Sequence, residues 1–149
     1  MEPFIRRLHE MLWIEQTLAD EVLPLVYERV HAAGLKDGVE RHRGETNQHV
    51  MTVRTCLNLI GERQDGSESA AFLGLQEELG ESDLDLADFL AKGEHLEIAA
   101  YTWLRSTAYA LGEEDIAIRL TEVLEQEQYA LELVEHETAK LLAERVANG

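Results

Sequence analysis

Apolar side chains recur at steps of three and four along four long stretches of this chain, and each stretch is interrupted by glutamate. Residues spaced in this way share one face of an α-helix. The first face holds Phe4, Leu8, Met11, Glu15, Leu18, Val22 and Leu25. The second, Val39, His42, Glu45, His49, Val53, Cys56 and Ile60, is polar in its first half and apolar in its second. Leu90, Glu94, Glu97, Tyr101, Leu104, Ala108 and Leu111 form the third. Ile116, Leu120, Val123, Glu127, Ala130, Val134 and Leu141 form the fourth. With only two prolines in 149 residues and no stretch of alternating polarity, an all-α fold is expected.

The punctuation residues divide the chain. Pro3 suits the first turn of a helix running into the low thirties, with a kink expected at Pro24. A second helix is expected from the mid thirties to about Gly61, then a polar loop, "ERQDGSES", and a short helix over "AAFLGLQEEL". Ser82 or Asp83 can cap a third helix over roughly 83 to 111, which Gly112 ends. A fourth begins with the acids of "EED", which the helix dipole favours, and continues to about Arg145. Four long helices with one long middle connection describe a single domain over 1–149, a four-helix bundle made of two hairpins joined by a crossover.

The interruptions are evenly placed. Glu15 to Glu45 is 30 residues, and Glu97 to Glu127 is again 30. In an antiparallel helix pair, positions equidistant from the turn share a level. The second pair requires a turn near 112, where Gly112 stands, and the first a turn near 30, in "VHAAG". One glutamate on an apolar face is commonly a snorkelling or ion-paired residue. Four at one level are converging anions, and unpaired buried carboxylates cost several kcal/mol each or take up protons. Arg6, Arg7, Arg54 and Arg105 lie off these faces or away from the level. A pair of iron or manganese ions would supply the missing positive charge. The metal candidates are Glu15, Glu45, Glu97 and Glu127, with His49 one turn after Glu45 and Glu94 one turn before Glu97. Tyr101 and His42 read as residues that support the ligands.

Composition narrows the functional classes. Thirty acidic residues against 13 basic ones give a net charge of −17, which argues against binding nucleic acid or an anionic membrane through a basic surface. No stretch reaches the about 18 to 20 apolar residues of a membrane span, and no secretory signal pattern opens the chain, so a cytoplasmic location is expected. Cys56 is alone in an apolar setting and reads as a small core residue.

The same residues carry a resemblance. "KGEHLEIAAYTWLRSTAYALG" is similar to the third-helix signature of the YciE/YciF family of ferritin-like proteins, a stress-associated group. "WIEQTL", "RHRGETNQHV" and "LTEVLEQEQ" resemble that family's segments on the other three helices. The resemblance implies a ferritin-like bundle and a di-metal carboxylate centre on the candidates above, reacting with peroxide or dioxygen in stress protection. The chain departs from the pattern at Gly44 and Leu131, where acids are often found. It also has Gln48 and Ala130 where the Glu-x-x-His motif of di-iron bundles would place histidine. These departures support an alternative: a non-catalytic, oligomeric binding or structural bundle whose metal site has decayed. A homodimer is expected in either case, with Trp13 and Trp103 as interface candidates.

Overall fold

The computed structural model describes residues 1–149 and is helical almost throughout, without strands. Helix α1 (Glu2–Thr17) passes through a π-helical turn (Leu18–Val22) into α2 (Leu23–Arg29). Then come α3 (Ala33–Leu59), the short α4 (Ala70–Gln76), α5 (Asp83–Ala110) and α6 (Glu114–Asn148). Helix α1 packs on α3, α3 on α6, α6 on α5, and α5 back on α1, which closes a four-helix ring around one apolar core. This is the ferritin-like bundle of two hairpins, with α4 carried in the crossover.

Each boundary has a local cause. Pro24 lacks the N–H that would bond Asp20, and the backbone absorbs the loss in the π turn, where the Leu23 N–H reaches Leu18 O. The wider turn shifts the phase of the buried face by one residue. The face therefore continues at Leu23 and Val26, while Leu25, expected on the stripe, is exposed. Helices α3 and α5 end on paired capping bonds at Gly61 and Gly112, whose φ angles of 74° and 76° suit glycine. In the second, Glu113 N–H bonds Ala108 O at 2.9 Å and Gly112 N–H bonds Tyr109 O at 3.1 Å. Ser69 and Ser82 cap α4 and α5 through their hydroxyls.

The crossover is tied to the bundle at both ends. Ser67 N–H bonds His9 O at 3.0 Å, and Gly66 lies so close to Trp13 that a Cβ would meet it at 2.9 Å. Asp83, at the start of α5, accepts from the His31 and Ala32 amides at 2.9 and 2.8 Å and fixes the α2–α3 turn. Trp13 packs edge-on against Phe72, and Trp103 lies under the Arg7 guanidinium, so both tryptophans are engaged within the chain. No helix is long and apolar enough to cross a membrane.

Candidate metal centre

At mid-height the ring turns polar. Glu15 from α1, His42 and His49 from α3, Glu94 and Glu97 from α5, and Glu127 from α6 are all buried. The i, i+7 spacing of His42 and His49 keeps both rings on the inner face of α3, with Val39, Thr46 and Val53 between and beside them. The i, i+3 spacing of Glu94 and Glu97 does the same on α5, and the next residue of that face, Tyr101, donates its hydroxyl to Glu15 Oε1 at 3.1 Å.

Two groups of ligand-type atoms form, each with its members within 4.8 Å of one another. One comprises His42, Glu94, Glu97 and Glu127; the other comprises Glu15, His49 and Glu127. Glu127 belongs to both. His42 Nε2 is 2.8 Å from Glu94 Oε1. His49 Nδ1 is 2.8 Å from Glu127 Oε1 and 3.5 Å from Glu15 Oε2.

The donor atoms fit cations better than they fit each other. Every buried side-chain nitrogen or oxygen without a hydrogen bond in this chain belongs to these six residues, including both oxygens of Glu97 and both of Glu127. His49 Nδ1 and Glu127 Oε1 are among them despite their separation of 2.8 Å, because they are not aligned as donor and acceptor. An orphaned buried polar atom costs about 1–3 kcal/mol, more when charged, and this many in one place could be met by a cation that they share. His49 Nε2 contacts Gln126 Oε1 at 2.6 Å, which holds the ring with Nδ1 turned to the carboxylates.

Without cations the cluster shares protons instead. Burial pushes the Glu94 carboxyl well above its usual range, and His42 offsets this only in part. Burial, with the neighbouring Glu127 and Glu15, does the same to Glu97. Burial alone would lower both histidines, but Glu94 raises His42 to about 9, and short contacts with Glu127 and Glu15 raise His49 to about 11. Burial would also raise Glu127; contacts with Glu97, Glu94 and His49 outweigh it and hold this carboxylate below the usual range. Burial and the adjacent carboxylates keep the Tyr101 phenol neutral, as a donor.

Of the residues singled out in the sequence, Glu15, His49, Glu94, Glu97 and Glu127 come together, with Tyr101 bonded to one of them. His42, expected to support the ligands, lies within a ligand group. Glu45 stands apart, half-buried on the flank of α3 and 4.0 Å from Arg41, in neither group. The 30-residue interval from Glu15 says nothing of rotation about the helix axis, and that rotation carries Glu45 off the inner face. Gln126 is a site residue with no sequence signal, since it neighbours Glu127 and lies on no apolar stripe.

No curated protein matches the chain in sequence. Among solved structures, the E. coli stress protein YciF superposes with a TM-score of 0.89 at 24% identity, over 95% of this chain and 96% of that one. YcfI from Rhodopseudomonas palustris gives 0.84 at 26% identity, over 90% and 91% of the two chains. A protein from Xanthomonas campestris gives 0.78 at 28%, over 99% and 96%. The family model "Domain of unknown function (DUF892)" matches residues 1–147. The chain belongs to this family, the YciF-like group that its third-helix motif resembles.

Proposed function

We propose that this protein is a ferritin-like di-metal carboxylate protein that holds two iron or manganese ions at the centre of the bundle. The observation that carries the reading is Glu127, a carboxylate common to two adjacent ligand groups, as a bridging ligand must be. His42, Glu94 and Glu97 would complete one position, and Glu15 and His49 would complete the other. Mixed carboxylate and imidazole donors suit iron and manganese. When bound, such a pair supplies one- or two-electron chemistry toward peroxide or dioxygen, and the likeness to a stress protein supports a role in stress protection. Gln126 orients His49 and Tyr101 orients Glu15, so the ligands are held before a cation arrives.

Metal analysis of anaerobically purified protein after addition of iron tests this. About two ions per chain are expected from a closed set of this kind. Metal well below one ion per chain, or binding unchanged in Glu15→Ala and Glu127→Ala, overturns it. The second reading, a homodimeric or larger structural bundle with a decayed site, draws support from the way the cluster can offset its buried charge by sharing protons among its glutamates and histidines. It predicts no metal uptake at all.

A further inference from the structure

A cavity of about 210 Å³ opens between α3, α5 and α6 and reaches the His42–Glu94 end of the cluster. One water needs only about 10–15 Å³ of such space, so the cavity has room for a small molecule. Its inner wall is apolar, formed by the buried Leu35, Val39 and Leu90 with the half-buried Leu133 and Val134. Two polar side chains face it from the core, His42 and Glu94, each more than nine-tenths buried. His42 Nδ1 and Glu94 Oε2 have no hydrogen-bond partner within the protein.

The mouth selects by charge. Asp37, Glu45 and Glu137 line it with one lining cation, Arg41, 4.0 Å from Glu45, while Lys140 stands 3.6 Å from Glu137 at the rim. An anion meets three carboxylates on the way in. A cation is drawn to those carboxylates but gives up its hydration against the apolar wall and, with the centre loaded, faces a metal ion. A neutral molecule avoids both penalties, and an apolar body gains about 25 cal/mol for each Å² it buries.

We propose that this cavity binds a neutral small molecule with an apolar body and one O–H head group, the chemistry shared by alcohols and alkyl hydroperoxides, with its head toward His42 and Glu94. The assignment rests on the metal reading only for what the head meets; the cavity itself belongs to the protein chain. Gly38 lines the mouth on α3, and a Cβ there would meet nothing within 4 Å. Gly38→Leu therefore narrows the entrance while improving helix propensity, so the variant keeps its fold.

Titration of the full-length protein with 1-hexanol, hexanoate and hexylammonium, followed by isothermal calorimetry and by methyl chemical shifts of Leu35, Val39 and Leu133, tests the assignment. Saturable binding of 1-hexanol is expected, at least tenfold tighter than either ion and weakened at least tenfold by Gly38→Leu. Hexanoate or hexylammonium binding as tightly as hexanol overturns it, as does hexanol binding that is absent or unchanged in Gly38→Leu. Both arms run on chelator-treated and manganese-loaded samples, with manganese content read separately. Absence of metal with hexanol bound sinks the di-metal reading and leaves the pocket; metal bound without hexanol sinks the pocket alone.

Discussion

At the scale of the residue, Glu127 and Glu45 separate what a carboxylate does inside the bundle from what it does on its flank. Glu127 is fully buried and touches both ligand groups, whereas Glu45 keeps solvent and Arg41 as neighbours. Glu127→Gln, close to isosteric, removes a charge common to both positions. Manganese affinity is expected to fall by at least about a hundredfold, the upper end of what even a supporting residue costs. Glu45→Gln is expected to change affinity less than threefold; equal losses in the two variants would return Glu45 to the ligand set. Tyr101 tests the support rather than the ligands. Tyr101→Phe keeps the ring's packing and strands Glu15 Oε1, which costs about 1–3 kcal/mol in the metal-free protein. Thermal denaturation in chelator reads that loss, and the Tyr101→Phe protein should regain part of it on adding manganese, because a cation gives Glu15 another partner.

At the scale of the element, the glycines show which turns the fold depends on. Gly112 closes the α5–α6 hairpin with φ at 76°, a conformation that costs an L-residue with a side chain about 1–2 kcal/mol. Gly112→Ala is expected to lower Tm by several degrees, whereas Gly44→Ala, within α3 and facing open space, gains up to about 1 kcal/mol of helix propensity and raises it. The same contrast explains how much the sequence made legible. Helix boundaries at Gly61, Ser82 and Gly112 could be read because a glycine or a hydroxyl satisfies a helix end through local bonds alone. The shared level of Glu15, Glu97 and Glu127 could be read because turn position fixes height in an antiparallel pair. The π turn could not, since it depends on how the backbone around Pro24 relaxes against the core, and it moved Leu25 outward. His42 and His49 do lie on the face that their spacing traces, but the departure of Glu45 from it could not be read, because α3 carries polar residues at neighbouring phases and only packing against α1 and α6 chooses among them.

At the scale of the whole molecule, folding and the cluster oppose each other, and pH decides how strongly. Glu94 and Glu97 have folded values raised above the ordinary 4.5, so their contribution to stability is complete below pH 4.5 and is lost as pH rises through the folded values. His42 and His49, raised from 6.5 to about 9 and about 11, act in the same direction, contributing fully below 6.5 and losing the contribution through those higher values. Glu127 is lowered, so its contribution is present above 4.5 and is lost as the solution becomes more acidic. The chelator-treated protein should therefore be most stable near pH 5 and lose stability through pH 8, with each proton held only by the folded state worth about 1.4 kcal/mol per pH unit. In a chain of this size that is about 3–5 °C in Tm per proton and pH unit. Metal reverses the sign, because ligands must release their protons to bind it. Manganese at about a hundred times its Kd adds about 2.7 kcal/mol, and its Kd tightens as pH rises, so melting curves with and without metal should nearly coincide at pH 5 and separate toward pH 8. An acid optimum that persists with no separation at pH 8 would mark a bundle that meets its buried charge with protons alone, and the carboxylates at its centre would then be a means of folding rather than of chemistry.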